Sequence, residues 1–186
     1  MSEPGEWSCW QGGPHILLPE QVLHSWDGHR PPSDGRVIDT KICFDGSVPA
    51  DYWRACDVKE LIGAISVGDQ TGLVIGDEVP MSTLTHHPDG SLVIFVPMTW
   101  FSENSFAIAD LPEIVRATAE RFVDTGIRFI HRGGAVALQP AVFPGDDNEE
   151  HFSRIMRPLA AGQYAVWTAD TATDAGEFRA HWLRTV

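Results

Sequence analysis

Leu61-Ile62-Gly63-Ala64-Ile65-Ser66-Val67, then Gly72-Leu73-Val74-Ile75, then Leu92-Val93-Ile94-Phe95-Val96: these apolar runs carry the reading of the fold. They are too short for core helices and are rich in β-branched residues. Gly68-Asp69, Gly76-Asp77-Glu78 and Pro88-Asp89-Gly90 separate them. Asp-Gly and Gly-Asp steps between apolar runs favour tight antiparallel connections, so residues 61–100 are expected to form a meander.

Working outward, the clearest helical pattern is Leu111 to Asp124. Leu111, Ile114, Val115, Thr118, Ala119 and Phe122 recur at the spacing of one buried stripe, and Glu113, Arg116, Glu120 and Asp124 fall opposite. Asp110 is placed to cap the first turn, Glu113 to complete a capping box, and Gly126 to supply a left-handed stop. A shorter helix is expected over Pro19 to Trp26, after a strand at His15 to Leu18. His29 to Gly46 holds Pro31, Pro32, Gly35 and Gly46 and reads as a loop with one short strand at Val37 to Phe44. Past the helix come Ile127 to His131 and Ala135 to Leu138. The alternating runs Gln163 to Thr168 and Phe178 to Val186 then predict a C-terminal hairpin with a loop at Ala169 to Gly176. Strands gathered in blocks point to an α+β class: a largely antiparallel sheet, meander plus C-terminal hairpin, packed with one main helix at about residues 111–124. A length of 186 residues predicts one domain, 1–186.

Charge narrows the functional classes. Twenty-six acidic against thirteen basic side chains leave a formal charge of −13. Such a surface repels nucleic acid and anionic lipid and speeds encounter with a cationic partner. No stretch approaches the roughly 20 apolar residues of a membrane span. Glu3 and Glu6 stand where a signal peptide carries Lys or Arg. Cys9, Cys43 and Cys56, odd in number and irregularly spaced, argue against a disulfide framework, so a cytoplasmic location is expected.

Reactive constellations are sparse. No G-x-S-x-G elbow, phosphate loop or Cys-x-x-Cys pair is present. Cys56 lies beside Asp57, whose carboxylate raises a thiol pKa and works against reactivity. His86 and His87 are adjacent, so a strand would send them to opposite faces, away from a common metal. No catalytic, cofactor-binding or metal-binding residue is assigned, and no cofactor is expected. Two acidic words remain as candidate partner contacts: Asp77-Glu78 at a strand end, and Asp146, Asp147, Glu149 and Glu150 in the densest acidic run. Two other readings stay open. A small hydrolase using Asp77, Glu78 and a histidine such as His131 requires those groups to converge in a concave pocket. A ligand-binding or scaffold domain requires the tryptophans to line one.

The order of words along the chain adds a resemblance. Trp10-Gln11-Gly12-Gly13-Pro14 is followed by Ile16-Leu17-Leu18-Pro19-Glu20, Trp26, and Asp51-Tyr52-Trp53-Arg54-Ala55-Cys56-Asp57-Val58. Then come Ile62-Gly63-Ala64-Ile65 and Val74-Ile75-Gly76-Asp77-Glu78. Together they resemble the immunity protein 21 family of bacterial polymorphic toxin systems, most specifically from Trp10 to Trp100. The resemblance implies a small cytoplasmic protein that binds and blocks a cognate toxin without catalysis. Many such toxins act on nucleic acids through basic surfaces. The implied partner is therefore a basic toxin, with nucleases among the candidates, met by an acidic surface that imitates a phosphate backbone. Oligomeric state, toxin identity and the role of residues 29–49 are not legible.

Overall fold

The computed structural model describes residues 7–9, 13–29, 36–38, 41–44, 48–76, 81–98, 111–146, 154–173 and 176–186. Its strands are β1 (Ser8–Cys9), β2 (His15–Pro19), β3 (Arg36–Ile38), β4 (Lys41–Phe44), β5 (Val48–Pro49), β6 (Ile62–Val67) and β7 (Gln70–Ile75). There follow β8 (Met81–His86), β9 (Leu92–Pro97), β10 (Val123–His131), β11 (Ala135–Pro140), β12 (Ile155–Pro158), β13 (Gly162–Thr173) and β14 (Gly176–Thr185). Among the described residues, helix is confined to α1 (Asp51–Cys56), α2 (Leu111–Ala117) and 3-10 turns at Glu20–Ser25 and Ala119–Arg121.

The strands make a six-stranded sheet in the order β1-β8-β9-β14-β13-β10 and a five-stranded sheet in the order β12-β11-β2-β7-β6. A small sheet β3-β4-β5 stands apart, and all described pairings are antiparallel. The two large sheets face each other. Leu17, Leu73, Ile75, Val136 and Leu138 from one interlock with Leu84, Leu92, Ile94, Phe129, Val166 and Leu183 from the other. The outer faces are covered too. Ile16, Leu18, Val67 and Val74 pack on Val22, Trp26 and Ala55. Val93, Phe95, Ala180 and Trp182 pack on Leu111, Val115 and Phe122. Strands β2 and β9 are consequently buried at every position, which is why their sequences run apolar without alternation.

Burial on both faces also corrects the expected meander. Leu61 to Val67 and Gly72 to Ile75 do form the β6–β7 hairpin. The other neighbour of β7 is β2, however, and Leu92 to Val96 pairs with β8 and β14 in the opposite sheet. A single meander would have left one face of β7 and β9 wet. The expected C-terminal hairpin is present but longer. β13 runs to Thr173, which stands opposite Gly176, so the expected loop 169–176 is mostly ladder. Buried Ala169, Thr171 and Phe178, with Asp170 and Arg179 paired across the strands at 2.7 Å, hold that extension in place. The loop 29–46, expected to hold one short strand, carries β3 and β4.

The largest correction is the main helix. α2 ends at Ala117, and β10 begins at Val123. The Thr118 hydroxyl donates back to the Ile114 carbonyl at 2.8 Å, a bond that competes with helix continuation. Phe122 turns inward onto Trp182, edge to face at 5.5 Å. From Val123 onward the chain takes the ladder of β13 instead. Gly126 has the anticipated positive φ, +81°, but uses it inside β10, where the register shifts between Asp124 and Arg128. Asp110 lies outside the described residues.

His15 and His181 are buried in this framework. Burial pushes the His15 imidazole down to about 4. Burial, with Arg179 nearby, pushes His181 down to about 3. Both are neutral in the folded state, whereas the unfolded chain protonates them near 6.5. Below pH 6.5 the unfolded state therefore binds more protons, and stability falls with pH until each folded pKa is reached, by up to about 1.4 kcal/mol per pH unit per histidine. Denaturant melts between pH 6.5 and 5 should show that loss, and His181→Asn should reduce the slope. Leu17→Ala at the centre of the sandwich should cost roughly 2–5 kcal/mol in the same melts.

Candidate functional site

The register of the five-stranded sheet decides what lies beside what. His15 at the start of β2 stands between Ile75 at the end of β7 and Pro140 at the end of β11. The segment that continues from β7 into Asp77 and Glu78, and the one that continues from β11 toward Asp146, thus leave the same end of one sheet. Asp146 is exposed. Asp77, Glu78, Asp147, Glu149 and Glu150 lie outside the described residues.

The turn after β11 is anchored at this end. His29 N–H donates to Val142 O at 2.8 Å, and Gly145 N–H to Trp26 O at 2.7 Å. Gly28 sits at φ +57° against that turn, where an added Cβ would lie 2.6 Å from Val142 O. Its carbonyl in turn accepts Tyr52 N–H at 3.0 Å, so the start of α1 is held to the same end. Asp51 fixes the helix further. Its carboxylate accepts Asp27 N–H at 3.0 Å and pairs with Arg54 at 2.6 Å.

α1 brings together an aromatic group that sequence reasoning missed. The rings of Tyr52 and Trp53 lie 5.2 Å apart, with His29 at 5.9 Å from Tyr52 and 6.4 Å from Trp53, edge to face in both contacts. All three are half-buried. Burial, with the Cys56 thiol as neighbour, pushes the Tyr52 phenol up to about 12, so it is a neutral hydrogen-bonding group at physiological pH. Tyr52 also packs over Gly13, just ahead of β2. A signal was available: adjacent residues on a helix diverge by about 100°, so a Tyr-Trp pair cannot point wholly into one core. The approach of His29 is tertiary and left no local mark.

Elsewhere on the described surface three arginines pair with acids. Arg128, Arg132 and Arg179 pair with Asp124, Asp69 and Asp170 at 2.9, 2.6 and 2.7 Å.

The alternative readings gain no geometry. His131 is buried, stacked on Phe129, and its neighbour Arg132 pairs with Asp69 in the β6–β7 turn. Gly76, which leads into Asp77 and Glu78, lies at the other end of β7, roughly 20 Å along the strand. Among the described residues, His131 thus lies apart from the strand end that leads to Asp77 and Glu78. Trp26 and Trp182 are buried in outer clusters, and Trp167 packs against the latter. No tryptophan lines the groove that Glu60, Leu61, Ile62 and Ala64 share with Ile127 and Thr168. His86 and His87 diverge: His86 Nε2 meets Pro158 O at 2.8 Å, while the His87 ring lies tilted against Trp182 at 4.7 Å. Among the described residues no group of three or more His, Cys, Asp or Glu is placed to hold a metal ion, and no helix is long and apolar enough to cross a membrane.

A family model described as immunity protein 21 matches residues 6–177 of the chain. No curated protein and no solved structure matches it. Trp53→Ala, which removes one ring of the half-buried trio, should leave the cooperative melt intact within about 2 kcal/mol. Global unfolding of that variant would make the trio a core element and not a surface feature.

Proposed function

The chain belongs to the immunity protein 21 family, and from that membership we propose that it is a binding protein that blocks a cognate toxin without catalysis of its own. It acts in the cytoplasm as a single domain of a polymorphic toxin system, and its partner is a basic toxin domain, a nuclease in the simplest case. The contact surface is the end of the five-stranded sheet, where the His29, Tyr52 and Trp53 rings are neighboured by the segments leading to Asp77-Glu78 and to Asp146, Asp147, Glu149 and Glu150.

One observation supports this reading: the strand register sets the ends of β7 and β11 on either side of His15, so the segments that lead toward two acidic words about 70 residues apart in sequence leave one end of one sheet. Partner interfaces gain affinity from a few desolvated aromatic anchors and gain association rate from a charged surround. Half-buried rings beside acidic connections supply both elements. A carboxylate array facing basic residues also imitates the phosphates that a nuclease cleft is built to hold.

The two contributions separate in kinetics. Reversing the charges of Asp146, Asp147, Glu149 and Glu150 together should slow association with the toxin domain encoded beside this chain by tenfold or more, with the melting transition retained. Tyr52→Ala or Trp53→Ala should instead speed dissociation about tenfold or more, the kinetic equivalent of about 1.4 kcal/mol or more. Unchanged rates in all of these variants would move the contact surface away from this end of the sheet.

A further inference from the structure

One corner of the space between the two large sheets is polar. Ser82 stands two residues before Leu84 on β8, and His15 two before Leu17 on β2. Leu84 and Leu17 both belong to the core between the sheets, so alternation along each strand sends Ser82 and His15 into that space. Ile75, the cross-strand partner of His15, is a residue of the same core. Ser8 on β1 is paired with Ser82, and residues opposite each other in an antiparallel pair share a face. β1 also lies against β11, the strand beside His15 on its other side, and the Ser8 main chain approaches the His15 imidazole. Polar side chains from three strands, two of one sheet and one of the other, therefore gather at this corner.

All three side chains are completely buried. Yet Ser8 Oγ, Ser82 Oγ and both ring nitrogens of His15 complete no hydrogen bond to another group of the protein. Buried polar atoms in native folds are paired with protein or with ordered water, so orphans grouped at one corner call for a bound molecule. The two hydroxyls do not bond each other either, although opposite residues set their Cβ atoms about 4.5–5.5 Å apart. A water spans that gap, because two bonds of about 2.8 Å at a tetrahedral angle reach about 4.6 Å. The donor set excludes charged occupants. Burial holds His15 neutral, with one nitrogen donating and the other accepting, and each hydroxyl can do both. An anion would meet no positive charge here, and a bare cation would meet no negative one. Among the described residues no group of three or more His, Cys, Asp or Glu is placed to hold a metal ion. A small neutral molecule that both donates and accepts matches the set, and water needs only two to four such partners.

We infer that Ser8, Ser82 and His15 bind an ordered water inside the sandwich, and that this water ties β1 and β8 of the six-stranded sheet to β2 of the five-stranded sheet. The site is separate from the proposed toxin contact and does not depend on it. It lies beneath the same end of the sheet, since His15 is the residue between the ends of β7 and β11. A water-mediated bond is enthalpically nearly as good as a direct one, and a buried water with about three partners behaves as part of the structure. β1 is only two residues long, so its ladder to β8 gives it little hold. The shared water anchors it to both sheets at once.

A crystal structure of the full chain, at a resolution that shows ordered solvent, tests the site directly. A single water should stand within about 2.7–3.2 Å of a His15 ring nitrogen and of both serine hydroxyls. Direct bonds among the three side chains, or another side chain of the protein filling the place, would overturn the site. Denaturant melts add a test of sign. Ser82→Ala strands the other partners of the water and should lower the folding equilibrium constant about fivefold or more. Removing a hydroxyl that had no partner would raise that constant or leave it unchanged, and either result contradicts the proposal. Ser8→Ala should act in the same direction as Ser82→Ala. The double variant should lose less than the product of the two single effects, because both hydroxyls serve one molecule. Effects that simply multiply would mean that the serines share no ligand, and the proposal would fall.

Discussion

Everything in this fold depends on β2 being buried on both faces. Its five residues contact the opposing sheet on one side and the 3-10 turn of Glu20–Ser25 with α1 on the other. A strand in that position must lie inside its sheet, between β11 and β7, because an edge position would leave backbone groups unpaired away from water. Once β2 is central, the ends of β7 and β11 are fixed beside His15, and whatever follows them emerges together. The common exit of the chain from β7 and β11 is thus a by-product of core packing.

The same constraint explains where the surface is open. Covering both outer faces leaves the long sides of the sandwich as the places where a partner can meet backbone. β12 lies against β8 along one side, and β10 approaches β6 and β7 along the other. Among the described residues, the half-buried rings of α1 lie on the side of the five-stranded sheet. The chemistry at these places consists of hydrogen bonding, ring contact and charge. The buried histidines His15, His131 and His181 are held within the packing.

Much of this was legible in the sequence, and the failures have physical causes. The antiparallel, strand-rich character and the C-terminal hairpin followed from alternation and turn residues. The division into two sheets did not, because a run such as Leu92 to Val96 reports burial on both faces without saying which strands lie beside it. The helix over 111–124 was overcalled because Phe122 fits a helical stripe by spacing, while the pull of Trp182 on its ring and the pairing of Val123 with Thr168 are tertiary. The acidic words were found as words, but the common exit of the two segments that lead toward them needed the register. The aromatic trio needed His29 to meet a helix that starts more than twenty residues later.

The measurement that bears most directly on the account is the association rate of this chain with the toxin domain encoded beside it, followed as ionic strength is raised. Docking steered by an acidic surface predicts a rate that falls steeply between low salt and about 0.15 M, where charges more than about 8 Å apart are screened, with dissociation much less affected. An association rate that stays flat over that range would contradict it.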